Sequence, residues 1–168
     1  MTGHETRLIP LTRPLARHYA SRLLELIGTI PGKPWRETEL LQERPHKFHY
    51  SRFWLAGDEV AGVIIASKKQ NSVHIHQVAI DPAYRRQGLA RQAYCRIASQ
   101  ARSDGLIKLT ANCILSDKVA VAFHQTLGLT FDDSYIDPDD DLAYGHMSVA
   151  LDILLQRCPE YESSDPPA

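Results

Sequence analysis

The sequence predicts an α/β (α+β) fold, a central mixed and mostly antiparallel β-sheet flanked by about four helices, and three observations carry that expectation. Apolar runs at Phe53–Ala56, Val60–Ser67 and Val73–Ile80 are separated by the short turns Gly57-Asp58-Glu59 and Lys68–Asn71, the pattern of a hairpin-linked antiparallel meander. From Gly88 the period turns helical, with Leu89, Ala93, Ile97 and Ala101 on one face until Gly105, and Ile107–Cys113 returns to a strand. Strand, helix and strand in that order form a right-handed βαβ unit with a parallel pair. At the far end, Met147, Val149, Leu151 and Ile153 alternate, which extends a last strand over His146–Ile153.

The remaining elements follow from local chemistry. Arg7–Leu11 is a short strand, after which Thr12 can cap a helix and Pro14 suits its first turn. Ala16, Ala20, Leu23 and Ile27 recur at helical spacing up to Gly28. Thr29–Lys33 reads as a loop and Pro34–Glu43 as a shorter helix, while the ring-rich stretch His46, Phe48, His49 and Tyr50 lacks a period and reads as a loop, either lining a site or merely connecting. Ser116 or Asp117 caps a helix with Ala120, Phe123 and Leu127 inward and Gly128 at its end, and Leu129–Tyr135 is the strand after it. The expected organisation is one domain over residues 1–157 and a disordered acidic tail over 158–168.

Composition narrows the function classes. A chain of 168 residues with 43% hydrophobic and 23% charged residues can bury a core without staples. A net charge of -1 gives no basic field for nucleic acid. No apolar run reaches membrane-spanning length and the first residues do not read as a signal peptide, so the expected location is cytoplasmic, with no membrane partner. Cys95, Cys113 and Cys158 are an odd number at wide spacing, expected to be inert thiols rather than a disulfide framework or a zinc site. The pair His74 and His76 has no third ligand at an obvious spacing, so no metal is expected. Neither a Walker loop nor a Gly-x-Gly-x-x-Gly turn follows a strand.

The turn Arg85-Arg86-Gln87-Gly88 opens straight into a helix, and the first N–H groups of a helix lack intrahelical acceptors while the dipole favours negative charge. A phosphate is therefore the ligand to expect. The order of elements, with Arg85-x-x-Gly88-x-Ala90 at that helix start, Ile80-Asp81-Pro82 before it, and Ala120 and Phe123-His124-x-x-Leu127-Gly128 after it, resembles the GNAT superfamily of acyl-CoA-dependent N-acetyltransferases. The resemblance runs from Arg7 to about Ile153 and implies acetyl-CoA as cofactor and transfer of its acetyl group to a primary amine of a small molecule or peptide by direct attack. It also implies a splayed parallel pair in the sheet. A catalytically weakened acyl-CoA-binding sensor, or a protein-interaction module on the same fold, is the alternative.

By that resemblance Arg85, Arg86, Gln87, Gly88, Leu89, Ala90 and Arg91 hold the pyrophosphate, and Val78, Ala79 and Ile80 pair with the pantetheine arm, with the Val78 N–H as an oxyanion donor. Asp117 stands where asparagine is usual, and its alternative role is a simple helix cap. An alkyl ammonium titrates near 10.4, so a base must take its proton. His76 is the leading candidate and His74 the second, each with a packed, hydrogen-bonded histidine as its other reading. His124 occupies the position of a family tyrosine that protonates the coenzyme A thiolate. Trp35, Tyr50 and His76, with His46 and His49, are expected at the acceptor. Asp132, Asp133, Asp137, Asp139, Asp140 and Asp141 can steer a cationic amine or simply form a turn. Family members are often dimers through their last strands, which leaves a homodimer open.

Overall fold

The computed structural model describes residues 5–161, which contain seven strands and seven α-helices. In chain order they are β1 Thr6–Pro10, α1 Arg13–His18, α2 Ala20–Ile27, α3 Glu37–Leu41, α4 Lys47–Tyr50, β2 Arg52–Ala56, β3 Glu59–Lys69, β4 Ser72–Ile80, α5 Leu89–Ser103, β5 Lys108–Ile114, α6 Lys118–Thr126, β6 Thr130–Ile136, β7 Ala143–Ala150 and α7 Leu151–Gln156. The strands are hydrogen-bonded neighbours in the order β1-β2-β3-β4-β5-β7-β6. The expected mixed sheet is present: β4 and β5 run parallel, with Ser72–Ile75 opposite Lys108–Ala111, while β1/β2, β2/β3, β5/β7 and β6/β7 are antiparallel. The parallel ladder has four pairs, and β4 continues past its last pair to Ile80. Among the described residues no helix is long and apolar enough to cross a membrane.

The described residues divide into two compact units, one made of residues 5–67 with His76–Ala93, the other of Lys68–Ile75 with residues 94–161. In the first unit, Leu23, Leu26 and Ile27 of α2 bury against Leu40, Phe53, Val63 and Ile65. Each such side chain contributes roughly 1.5–3 kcal/mol when fully buried. Thr12 caps α1 by accepting from the Leu15 N–H at 3.3 Å. The single helix expected between the Thr12 cap and Gly28 is instead α1 and α2, broken where Tyr19 leaves the helical region (φ -100°, ψ 14°).

The expected ring-rich loop contains a one-turn helix, α4, entered through His46 in the left-handed region (φ 55°). Four residues are too few to show a period. Lys47 of that turn is buried, and its Nζ donates to the carbonyls of Glu39, Leu40 and Gln42 at 3.0, 2.6 and 2.9 Å. It satisfies carbonyls that the end of α3 leaves open. Burial pushes this ammonium down to about 8.

In the second unit α5 buries Tyr94, Cys95 and Ala98 as well as the expected Ile97 and Ala101, a stripe wider than the sequence pattern marked. Two expectations are corrected here. The strand expected over His146–Ile153 ends at Ala150, and Leu151 opens α7, in which Leu151, Leu154 and Leu155 are buried and Ile153 is exposed. Leu151 sits both two residues after Val149 and at the head of an i, i+3, i+4 stripe, so the alternation ran past the true boundary. Cys95 and Cys158, expected to be inert thiols, form a disulfide with Cα atoms 5.9 Å apart, and Cys113 is the free buried thiol. Spacing in sequence carries no signal of that approach, since the two lie 63 residues apart. Cys158, where the acidic tail is expected to begin, is buried and Pro159–Tyr161 forms a 3-10 turn, while residues 162–168 lie outside those described.

Gly62 of β3 shows how closely the first unit is packed. A Cβ there would meet the Trp54 ring at 2.8 Å and the Ala79 carbonyl at 3.0 Å. Gly62→Ala is therefore expected to destabilise the protein by about 1–3 kcal/mol, as overpacking does, and to change Trp54 fluorescence. Chemical unfolding followed by tryptophan emission checks both.

Candidate active site

The turn between β4 and α5 is built from Asp81 outward. Its N–H donates to the Ala61 carbonyl at 2.9 Å, Oδ1 accepts from the Ala83 N–H at 2.8 Å, and Oδ2 accepts from the Arg22 guanidinium. The Ala83 N–H and then Arg22 hold this carboxyl below the usual range. Pro82–Tyr84 makes a single 3-10 turn, and Arg85 Nε folds back to the Ile80 carbonyl at 3.0 Å. Arg86 and Gly88 both have positive φ, 62° and 75°, which only glycine adopts without strain.

Arg85, Arg86, Gln87 and Gly88 are exposed, Leu89 is buried, and Ala90 and Arg91 are half-buried. A Cβ on Gly88 would touch nothing within 4 Å, so the space in front of α5 is open. The first intrahelical bond is Gln92 N–H to Gly88 O at 3.0 Å. The turn thus presents exposed arginines and helix-start donors beside open space, the makings of an anion seat. Trp54 is buried, and its Nε1 donates to Gln92 Oε1 of α5 at 3.4 Å.

On β4 the two histidines part company. His74 is buried, with Nδ1 2.7 Å from Thr110 Oγ1. His76 is half-buried, and its Nε2 lies 2.6 Å from Ser67 Oγ of β3. Ala79 is buried, Val78 and Ile80 are half-buried, and the Ile80 carbonyl is engaged by Arg85.

His124 lies on the inward stripe of α6 and is buried. Its Nδ1 is 2.8 Å from the Ala120 carbonyl, which can only accept, so Nδ1 carries the proton; Cys113 Sγ is 3.1 Å from the same nitrogen. The neutral ring's Nε2 therefore accepts from the Tyr94 hydroxyl at 2.7 Å. Burial lowers the imidazole pKa and raises those of Tyr94 and Cys113, the thiol to about 11. The set is held neutral. Asp117 caps α6, with Oδ1 accepting from the Ala120 N–H at 3.1 Å.

Of the expected acceptor residues, Trp35 is half-buried on the first unit's core and Tyr50 is buried, with His49 of α4 and His46 just before it exposed. In the acidic hairpin, Asp132 pairs with His146 at 3.0 Å, Asp137 Oδ1 accepts from the Asp139 N–H at 2.8 Å, and Asp140 accepts from the Leu142 N–H at 2.9 Å and the Tyr144 hydroxyl at 2.7 Å. Asp137 and Asp140 shape the turn itself and Asp132 bonds across β6 and β7, while Asp133, Asp139 and Asp141 are exposed. Sequence reasoning missed Arg22, Ser67, Tyr94 and Thr110. Their partners stand 9 to 59 residues away and become visible only with strand register and helix packing known.

Comparison with known proteins matches residues 17–129 to the family model described as the acetyltransferase (GNAT) family. No curated protein sequence gives a significant match. Among solved structures, the ribosomal-protein-S18-alanine N-acetyltransferase from Escherichia coli is 16% identical, with a TM-score of 0.72 over 88% of this chain and 94% of that one. Ard1 from Thermoplasma volcanium is 15% identical, with a TM-score of 0.75 over 86% and 97%. Arabidopsis thaliana Naa50, in complex with the bisubstrate analogue CoA-Ac-MVNAL, is 12% identical, with a TM-score of 0.69 over 86% and 97%. At these identities the likeness is one of fold.

The Arg22–Asp81 pair is open to a direct check. Because the Asp81 carboxyl is held below its ordinary value, the stability it contributes is present above the ordinary carboxylate pKa and is lost as pH falls through its folded value. Arg22→Met is expected to cost about 1 kcal/mol at pH 7, and the gap from wild type should narrow as Asp81 protonates. Urea unfolding across acid pH measures it.

Proposed function

Because this chain belongs to the GNAT family of acetyltransferases, whose cosubstrate is acetyl-CoA, we propose that it binds acetyl-CoA and transfers the acetyl group to a primary amine of a small molecule or peptide by direct attack. The observation that carries this reading is the turn before α5, with exposed Arg85 and Arg86, a left-handed Gly88 and open space in front of the helix start. In the proposed site, N–H groups from Arg86 through Arg91 and the side chains of Arg85, Arg86 and Arg91 hold the pyrophosphate. Val78, Ala79 and Ile80 pair with the pantetheine arm, the Val78 N–H polarises the thioester carbonyl, and Asp117 serves α6 as its cap near the cofactor.

His76 is the proposed base, in preference to His74, which is buried against Thr110. Trp35 and Tyr50 support the acceptor side, and the exposed Asp133, Asp139 and Asp141 steer a cationic amine. The domain over 1–157, the cytoplasmic setting and a homodimer through β6 and β7 belong to the same proposal. In a reducing cytosol the Cys95 and Cys158 thiols would face one another unoxidised.

One observation favours a second reading. His124 is assigned the thiol side, yet its Nδ1 proton is engaged by Ala120 and its Nε2 accepts from Tyr94, so it donates to a thiolate only as an imidazolium, the form burial disfavours. A catalytically weakened acyl-CoA-binding sensor or interaction module has the same cofactor turn without that proton.

Calorimetry with acetyl-CoA tests both: micromolar-range binding is expected, and its absence removes the enzyme and the sensor together. Gly88→Ala should weaken that binding about tenfold, since alanine resists a positive φ by about 1–2 kcal/mol. Thiol release over a panel of cationic and neutral amines then separates enzyme from sensor, with cationic amines expected to react faster. His76→Ala is expected to lower turnover at neutral pH about 100-fold with little change in cofactor affinity, and steady-state kinetics with acetyl-CoA varied measures the two separately.

A further inference from the structure

The contact between Ser67 and His76 specifies more than the base itself. Ser67 Oγ is 2.6 Å from His76 Nε2, and Ser67 is 4% exposed. Among the described residues His76 is the hydrogen-bond partner recorded for that hydroxyl. A buried O–H left without an acceptor costs free energy, so the hydroxyl donates to Nε2. Neutral His76 then carries its own proton on Nδ1 and can take up another only at Nε2, the nitrogen that faces Ser67.

We infer that Ser67 relays the proton His76 removes: the amine's proton reaches the buried Ser67 Oγ through a water as the proton of Ser67 passes to His76 Nε2. The ammonium N–H bond and the original serine O–H bond break, a new serine O–H and an Nε2–H bond form, and the products are a neutral amine, an intact serine and an imidazolium. The inference rests on the base role proposed for His76. It adds a residue on the neighbouring strand β3 and names the nitrogen that acts. A threonine keeps the hydroxyl and an alanine removes it, so the position can be tested by rescue.

The test begins with the unmodified protein. Long-range proton–nitrogen NMR of His76, assigned with His76→Gln, is expected to show the Nδ1–H tautomer when neutral; an Nε2–H tautomer overturns the inference without any variant having to fold. In Ser67→Ala the tautomer should shift toward Nε2–H, the form imidazole prefers in water. With amine and acetyl-CoA, Ser67→Ala is expected to lose about tenfold or more in kcat with the acetyl-CoA KM unchanged, and Ser67→Thr to regain most of it. Full kcat in Ser67→Ala alongside a large loss in His76→Ala would reject the relay and leave His76 as base. Full kcat in both would reject the base reading and the relay with it.

Discussion

One carboxylate holds the approach to the candidate cofactor turn. Asp81 joins β3 through its N–H, closes the turn through Oδ1 and draws in α2 through Oδ2. A charge-assisted bond to a backbone N–H is short and directional, so the carboxylate fixes where β4 stops. Arg85 then returns to the last carbonyl of β4, and the chain reaches Gly88 with little choice of path. The arginine nearest β4 therefore has a structural duty as well as a charge. Arg86, at positive φ, is held where a non-glycine residue is uncommon.

Much of this could be read from the sequence because the signals were local. The hairpins, the Thr12 and Asp117 caps and the Gly88 turn each depend on residues within a few positions of one another, and the βαβ unit, whose paired residues lie 36 positions apart, was read from the order of such local elements. The misreadings share a different cause. Leu151 satisfied two periods at once, α4 was too short to show any, and the approach of Cys95 to Cys158 depends on packing between distant segments.

The candidate site divided along the same line. Its backbone part was legible, since a glycine with positive φ at a helix start leaves a mark in the sequence. Its proton chemistry was not, because the state of a histidine is set by what its second nitrogen meets. His74, His76 and His124 look alike in sequence, yet they meet a threonine, a serine and a carbonyl–phenol pair. A strand position or an apolar stripe places the ring; the partner decides whether it can move a proton.

The Cys95–Cys158 bridge also changes the molecule's connectivity. It closes a covalent ring that contains most of α5 and all of β5, α6, β6, β7 and α7. A single backbone cut anywhere inside that ring, including the exposed acidic hairpin, opens the chain without separating the pieces. An oxidised molecule clipped there stays one covalent body, and thiol reductants, rather than proteases, decide when it becomes two.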